Sequence, residues 1–286
     1  MMAWWQLLRV ALAPTIVWDV AAGALLAGLG LSLSLWAPLA CLLLLYHGGM
    51  ALNDFADRRT DAATRPRRAI PSGRVPPTAA FAAGAALIAA GLALAFLVLP
   101  GLARDACLLL ALVVVVYDLG GAVVRRAVGP PLLALARGIS LALPALAGGV
   151  AVFDDKARVL AYTAYMLYFL FLSRLATREE SGSPGMRALA YVIATALAPV
   201  LILPAGLDLV FLAAWAAFAG WLVWPALLDR NIPWEPRRVQ QAVRRGLAAA
   251  PMVPGLALLA AGVWAGLAAP LVGLAVARLA RTLPPE

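Results

Sequence analysis

The chain has 286 residues, 64% of them hydrophobic and 13% charged, with a mean hydropathy of +0.91 and a formal net charge of +9. A soluble globular chain carries about 25% charged residues, so this composition excludes an ordinary water-soluble enzyme and points to one polytopic membrane domain over residues 1–286. The basic residues are dispersed among the segments between apolar runs, which argues against a nucleic-acid-binding face.

Apolar runs long enough to span a bilayer, which takes about 20 residues each, predict spans at roughly 13–30, 35–52, 79–98, 105–122, 129–150, 158–176, 188–204, 207–228 and 249–269. The expected architecture is all-α, a bundle of about nine transmembrane helices. Asp19 interrupts the first run and no clean small-residue cleavage site follows it, so residues 1–30 read as a span rather than a secretory signal. With the amino terminus cytoplasmic, 17 of the 23 basic residues fall on that side. Arg104, Lys156, Arg158, Arg278 and Arg281 fall on the other, and Arg137 lies inside a span. The asymmetry predicts a multi-pass protein of the inner (cytoplasmic) membrane, amino terminus in and carboxyl terminus out, in contact with membrane lipids. Cys41 and Cys107 both fall in predicted spans and read as small apolar side chains.

Three polar clusters share the cytoplasmic side, at 53–74, 174–187 and 229–245. The third mixes arginines with Trp234, Val239 and Val243. It reads as a basic loop, with a short interfacial helix as the alternative.

The first cluster opens Asn53-Asp54-Phe55-Ala56-Asp57-Arg58-Arg59-Thr60-Asp61. At helical spacing Asp54, Asp57 and Asp61 stand at i, i+3 and i+7 and share one face. Hard oxygen ligands in a row suit Mg²⁺, and Mg²⁺ suits a diphosphate. Arg65-Pro66-Arg67-Arg68-Ala69-Ile70-Pro71-Ser72-Gly73-Arg74 follows, with forked donors able to grip the same phosphates and a turn set by Pro71, Ser72 and Gly73.

With this NDxxDxxxD motif and its arginine- and proline-bearing tail, the sequence resembles the UbiA superfamily of intramembrane prenyltransferases. Ala69 stands where the family more usually has proline. The resemblance implies a helical bundle around a cavity open to lipid, and Mg²⁺-dependent transfer of a prenyl group from an isoprenyl diphosphate to a small hydrophobic or aromatic acceptor. It implies Asp54, Asp57 and Asp61 as catalytic residues, Asn53 with them as metal and diphosphate ligands, and Arg68 as a phosphate contact. Tyr117, Asp118, Arg125 and Arg126 resemble the family's tyrosine-then-basic segment after span four, which implies Tyr117 and Arg125 as diphosphate contacts. The family's second aspartate-rich motif is replaced by Arg178-Glu179-Glu180. Glu179 and Glu180 are the candidates for a second Mg²⁺ there, and Arg178 for the diphosphate. This segment looks similar to the EboC-like branch of the superfamily.

Asp19, inside a span, is expected to face a cavity or a partner, because an unpaired charge at mid-membrane costs roughly 2.5–3.5 kcal/mol on insertion scales. Arg137 can pair with Asp19 or Asp118, or reach the diphosphate. His47, the only histidine, reads as a buried hydrogen-bonding residue. Two other functions remain open: a degenerate member that binds a prenyl lipid or precursor without turnover, and a metal-coupled transporter. The position of the acidic cluster at the cytoplasmic end of a span argues against the transporter.

Overall fold

The computed structural model describes residues 1–205 and 208–282, and among these every regular element is helical. In chain order the α-helices are α1 (Met2–Leu7), α2 (Ala13–Leu26), α3 (Trp36–Thr64), α4 (Pro77–Val98), α5 (Gly101–Leu119) and α6 (Gly121–Ala147). They continue as α7 (Lys156–Ala176), α8 (Gly185–Leu197), α9 (Leu209–Leu228), α10 (Pro236–Ala249), α11 (Met252–Ala260) and α12 (Ala269–Thr282). Short 3-10 turns at Val10–Leu12, Leu33–Leu35, Ala198–Ala205 and Trp264–Ala268 join or extend them.

The chain is a polytopic membrane bundle. Among the described residues, 7 segments are long and apolar enough to cross a bilayer, and α2 belongs to a shorter apolar stretch, Val10–Leu26. Helix α5 occupies the fourth expected span, but Arg104, Asp105 and Asp118 within its 19 residues hold down its apolar character. Helices α4 and α7 coincide with predicted spans to within about two residues.

Helix α3 departs from expectation in a way that matters for function. The predicted span stops at Leu52, where hydropathy falls. The helix continues to Thr64, 29 residues in all and about 43 Å long, against a hydrocarbon core of about 30 Å. Nothing between Leu52 and Thr64 breaks a helix. It ends where Arg65, next to Pro66, leaves helical geometry at φ −140° and ψ 62°. The acidic cluster is therefore carried on a rigid extension of a membrane helix rather than on a loop. Close packing fixes that helix. A Cβ on Gly48 would stand 3.0 Å from the Gly84 carbonyl oxygen of α4, and a Cβ on Gly84 would stand 3.0 Å from the Gly48 carbonyl oxygen, so the two backbones touch.

Deeper in the bundle, α2, α6 and α7 are tied by one ionic knot. Asp19, fully buried, accepts from Tyr165 Oη at 2.6 Å and Ser140 Oγ at 2.8 Å, and pairs with Arg137 at 3.3 Å. Arg137 also donates to Tyr165 Oη and stacks on Phe169, 4.6 Å from the ring centroid. Of the partners left open by the sequence, Arg137 takes Asp19. Directly before Asp19 in the chain, Trp18 Nε1 donates to the Pro251 carbonyl at 2.9 Å and brings α11 against the same core.

The carboxyl-terminal region differs most from expectation. The third polar cluster is helical from Pro236 on, as α10, which leads directly into α11 and packs beside α7. Tyr168 Oη donates to the Gly246 carbonyl at 2.6 Å, and a Cβ on Gly246 would overlap Leu172. The predicted ninth span, 249–269, is broken at its middle by a turn at Gly262 (φ +74°). Beyond the turn the chain reverses. Gly255 lies against Gly266, and Gly273 against Ala248, so Trp264–Thr282 runs antiparallel to α10–α11. Helix α12 ends its run against α2, α10 and the Val10–Leu12 turn. The end of α12 thus lies on the side of the acidic cluster, not opposite to it. Arg278 and Arg281 join the seventeen basic residues there, and only Arg104, Lys156 and Arg158 remain on the other face, a sharper asymmetry than the sequence reading gave.

Two measurements check this architecture. A cysteine at Thr282 is expected to react with a membrane-impermeant maleimide from the same side as one at Arg74, and a cysteine at Ser32 from the opposite side. The native Cys41 and Cys107 are buried and stay silent. Asp19→Ala, which strands the Arg137 charge in the bundle, is expected to cost about 3–5 kcal/mol in unfolding from detergent, and Asp19→Leu combined with Arg137→Leu to recover most of it.

Candidate active site

At the end of α3 the three carboxylates each meet an arginine from elsewhere in the chain. Asp54 Oδ1 accepts from Arg9 Nη2 at 3.2 Å and from Arg68 Nη1 at 3.4 Å. Asp61 Oδ2 accepts from Arg68 Nη1 at 2.7 Å. Asp57 forms an ion pair with Arg125 of α6. Asn53 bridges two groups, accepting from Arg9 at 3.4 Å and donating to buried Asp118 of α5 at 3.1 Å. Tyr117 lies within electrostatic reach of Arg9, Arg125 and Asp57. Arg65 pairs with Glu179 of the α7–α8 connection at 3.5 Å. Four arginines and five carboxylates from six stretches of chain thus meet at one end of the bundle.

Local structure explains the convergence. Helix α6 begins at Gly121, directly after a bend at Gly120, so Arg125 sits on its second turn and points back to α3, rather than lying in a loop as the sequence suggested. The connection 65–76 folds tightly, with Val75 donating to the Ala69 carbonyl and Gly73 at φ +74°, and this brings Arg68 under α3. Burial raises the Glu179 pKa above the ordinary glutamate value, and Arg65, Arg9, Arg244 and Arg68 pull it back down.

Sequence reasoning counted Arg9 only toward topology. Its backbone is left-handed (φ 48°), the only such non-glycine among the described residues. That conformation is costly and concentrates at functional sites. Two contacts over-determine it: His47 Nδ1–H donates to the Leu8 carbonyl at 2.8 Å, and Leu7 is buried in a small core with Ala51, Ile70 and Val75. Arg9 lies 45 positions from Asp54, and no local pattern announces such a contact. Asp118 was legible as an acid near a membrane boundary, though not as the partner of Asn53.

The remaining candidates spread out. Arg137 belongs to the Asp19 knot and not to the cluster, although Tyr46 lies within electrostatic reach of both Arg137 and Arg9. Arg178 is half-buried on the turn after α7, and Glu180 is exposed. Gln240 of α10 donates to the Glu179 carbonyl at 3.4 Å, which anchors this turn.

The donor set fits Mg²⁺ in one specific manner. Among the described residues no three acidic, histidine or cysteine side chains converge on one point. An ion here would be held by one or two carboxylates and completed by phosphate oxygens and water, which is the usual habit of Mg²⁺. Asn53, Asp54, Asp57 and Asp61 offer oxygen ligands for it.

The sequence model of the UbiA prenyltransferase family matches residues 12–231. A digeranylgeranylglyceryl phosphate synthase of Methanothrix thermoacetophila is 47% identical over 73 residues, which span 26% of this chain and 26% of that protein. Among solved structures, a digeranylgeranylglyceryl phosphate synthase superposes with a TM-score of 0.64 at 15% identity, over 91% of this chain and 97% of its own. A UbiA homolog from Archaeoglobus fulgidus bound to GPP and Mg²⁺ superposes with a TM-score of 0.58 at 12% identity, over 91% of this chain and 100% of its own. These structural likenesses establish a shared fold.

The shared arginine makes a measurable prediction. Arg68→Ala removes the cation from both Asp54 and Asp61, so in the absence of diphosphate it is expected to tighten Mn²⁺ binding, read by electron paramagnetic resonance, about tenfold.

Proposed function

This chain belongs to the UbiA prenyltransferase family, and on that premise we propose that it transfers a prenyl group from an isoprenyl diphosphate to a hydrophobic or aromatic acceptor within the membrane, with Mg²⁺ as cofactor. The observation that carries this reading is the meeting of Arg9, Arg68 and Arg125 with Asn53, Asp54, Asp57 and Asp61 at the end of α3, with the Arg65–Glu179 pair beside them. The relatives' ligands, GPP and DMAPP with Mg²⁺, are what such a set of groups suits.

In this reading the arginines bind the non-bridging oxygens of the diphosphate through forked donors. Bound Mg²⁺ supplies neutralisation of the leaving diphosphate. Arg9 and Arg68 already stand beside Asp54 and can turn from carboxylate to phosphate without leaving the site. Tyr117 and Arg125 close the side formed by α5 and α6. The prenyl chain lies among the helices, where apolar walls keep water from the electron-deficient carbon that forms as the C–O bond opens. The acceptor's nucleophilic atom then bonds to that carbon and its proton passes to the site or to bulk water. The basic face of the bundle is the cytoplasmic face in this proposal, in the inner membrane, with the amino terminus on that side.

A second reading, binding of a prenyl lipid without turnover, has one observation in its favour: the second acidic segment offers Glu179 already tied to Arg65, beside an exposed Glu180.

Transfer is tested with purified protein in lipid nanodiscs, Mg²⁺ and allylic diphosphates of several lengths. Asp54→Asn and Asp57→Asn are each expected to lower turnover at least about a hundredfold, and chelation of Mg²⁺ to abolish it. Arg9→Ala is expected to weaken diphosphate binding about tenfold. Binding without product in the wild type selects the second reading. Absence of diphosphate binding, with Asp54→Asn and Asp57→Asn indistinguishable from wild type, removes both.

A further inference from the structure

Helix α10 lines a cavity away from the acidic cluster. A cavity of about 110 Å³ lies between α7, α8, α9 and α10. Its wall is apolar, built from Leu172, Val192 and Leu222 among others, and its rim carries Arg238, Gln241 and Arg245. These three stand at i, i+3 and i+7, one face of α10. Helix α10 also lies beyond the residues that the family model matches.

The rim is rich in donors and poor in acceptors. Arg238 is taken up within the chain, pairing with Asp229 and donating to the Pro225 carbonyl. Arg245 stacks on Trp221 and forms no ion pair among the described residues. The rim therefore suits an anion with several acceptor oxygens, while the wall behind it suits hydrocarbon. Trp221 and Trp224, 50% and 65% exposed, place the mouth in an aromatic belt of the kind that marks a bilayer interface.

We propose that this cavity binds an anionic phospholipid, with its phosphodiester on Arg245 and Gln241, and the start of one acyl chain against Leu172 and Val192. A free phosphate would leave the apolar wall unused, and a zwitterionic lipid brings a cation to a rim that already has an excess of them. The occupied site clamps α10 to α7 and α9. Because Gln240 on the same helix holds the Glu179 carbonyl, the lipid also stiffens the turn that carries Glu179.

The test uses full-length protein in nanodiscs of phosphatidylcholine with or without phosphatidylglycerol, followed by native mass spectrometry of retained lipid and by thermal unfolding. Wild type is expected to retain phosphatidylglycerol selectively and to unfold at a higher temperature with it. Arg245→Gln and Gln241→Glu are each expected to cut that retention about fivefold, while unfolding in pure phosphatidylcholine stays as in wild type and shows the fold intact. Arg187→Gln, at an exposed arginine away from the rim, is expected to change nothing. Equal retention of the two lipids, or wild-type retention in both rim variants, overturns the proposal. Displacement of phosphatidylglycerol by millimolar inorganic phosphate assigns the rim to free phosphate and overturns it equally.

Discussion

The physical constraint behind this structure is that a charge taken into an apolar bundle needs a counter-charge, and the counter-charge comes from another segment. Asp19 on α2 is answered by Arg137 on α6, Asp57 on α3 by Arg125 on α6, and Asp54 by Arg9 from the amino-terminal segment. Hydrophobic burial cannot choose among helix arrangements in lipid, because lipid tails are as apolar as the side chains. Close glycine contacts and ion pairs do choose. The Gly48–Gly84 contact sets the spacing of α3 and α4, and the Asp19 knot sets the relative rotation of α2, α6 and α7.

The same constraint gives the candidate site its character. In the absence of substrate its carboxylates and arginines neutralise one another. A diphosphate alone would draw the arginines away and strand the carboxylates. A divalent cation alone would face arginines already in place. The two together restore the balance: arginines turn to phosphate, and carboxylates turn to metal. Electroneutrality thus favours joint entry of diphosphate and Mg²⁺, without any need for three carboxylates to converge beforehand. It also gives a reason for the strained backbone of Arg9. A cation tethered by a buried Leu7 and by the His47 bond to Leu8 stays at the site whichever partner it holds.

Much of the bundle was legible because apolar runs of span length leave few alternatives. The spans of α4 and α7 needed only hydropathy. The NDxxDxxxD cluster was legible because three acids at one helical spacing beside a membrane are hard to explain otherwise. What hydropathy missed has three separate causes. It ended α3 at Leu52 because polarity rises there, although Ala56, Ala62 and Ala63 sustain a helix that only Arg65–Pro66 stops. It ran a span through Gly262 because a turn between apolar residues leaves hydropathy unchanged. It took the arginines of α10 for a loop, although Val239, Val243 and Gly246 recur at helical spacing and are the residues that are buried. Arg9 was hidden for a different reason. Its role exists only through a contact 45 positions away, which one sequence cannot display.

The carboxyl-terminal hairpin connects these points. Helices α10 and α11 descend beside α7, and the antiparallel return through α12 fills the space against α2 and the Val10–Leu12 turn. Arg9 directly precedes that turn. The segment that presents Arg9 to Asp54 is therefore held on one side by His47 of α3 and braced on the other by α12. Loosening α12 would free the Val10–Leu12 turn and release Arg9 from Asp54, although α12 contributes no side chain to the cluster. A residue on α12 can thus alter diphosphate affinity through position alone. Gly273 is the sharpest case: a Cβ there would stand 2.5 Å from the Ala248 carbonyl oxygen, so any side chain pushes α12 off α10.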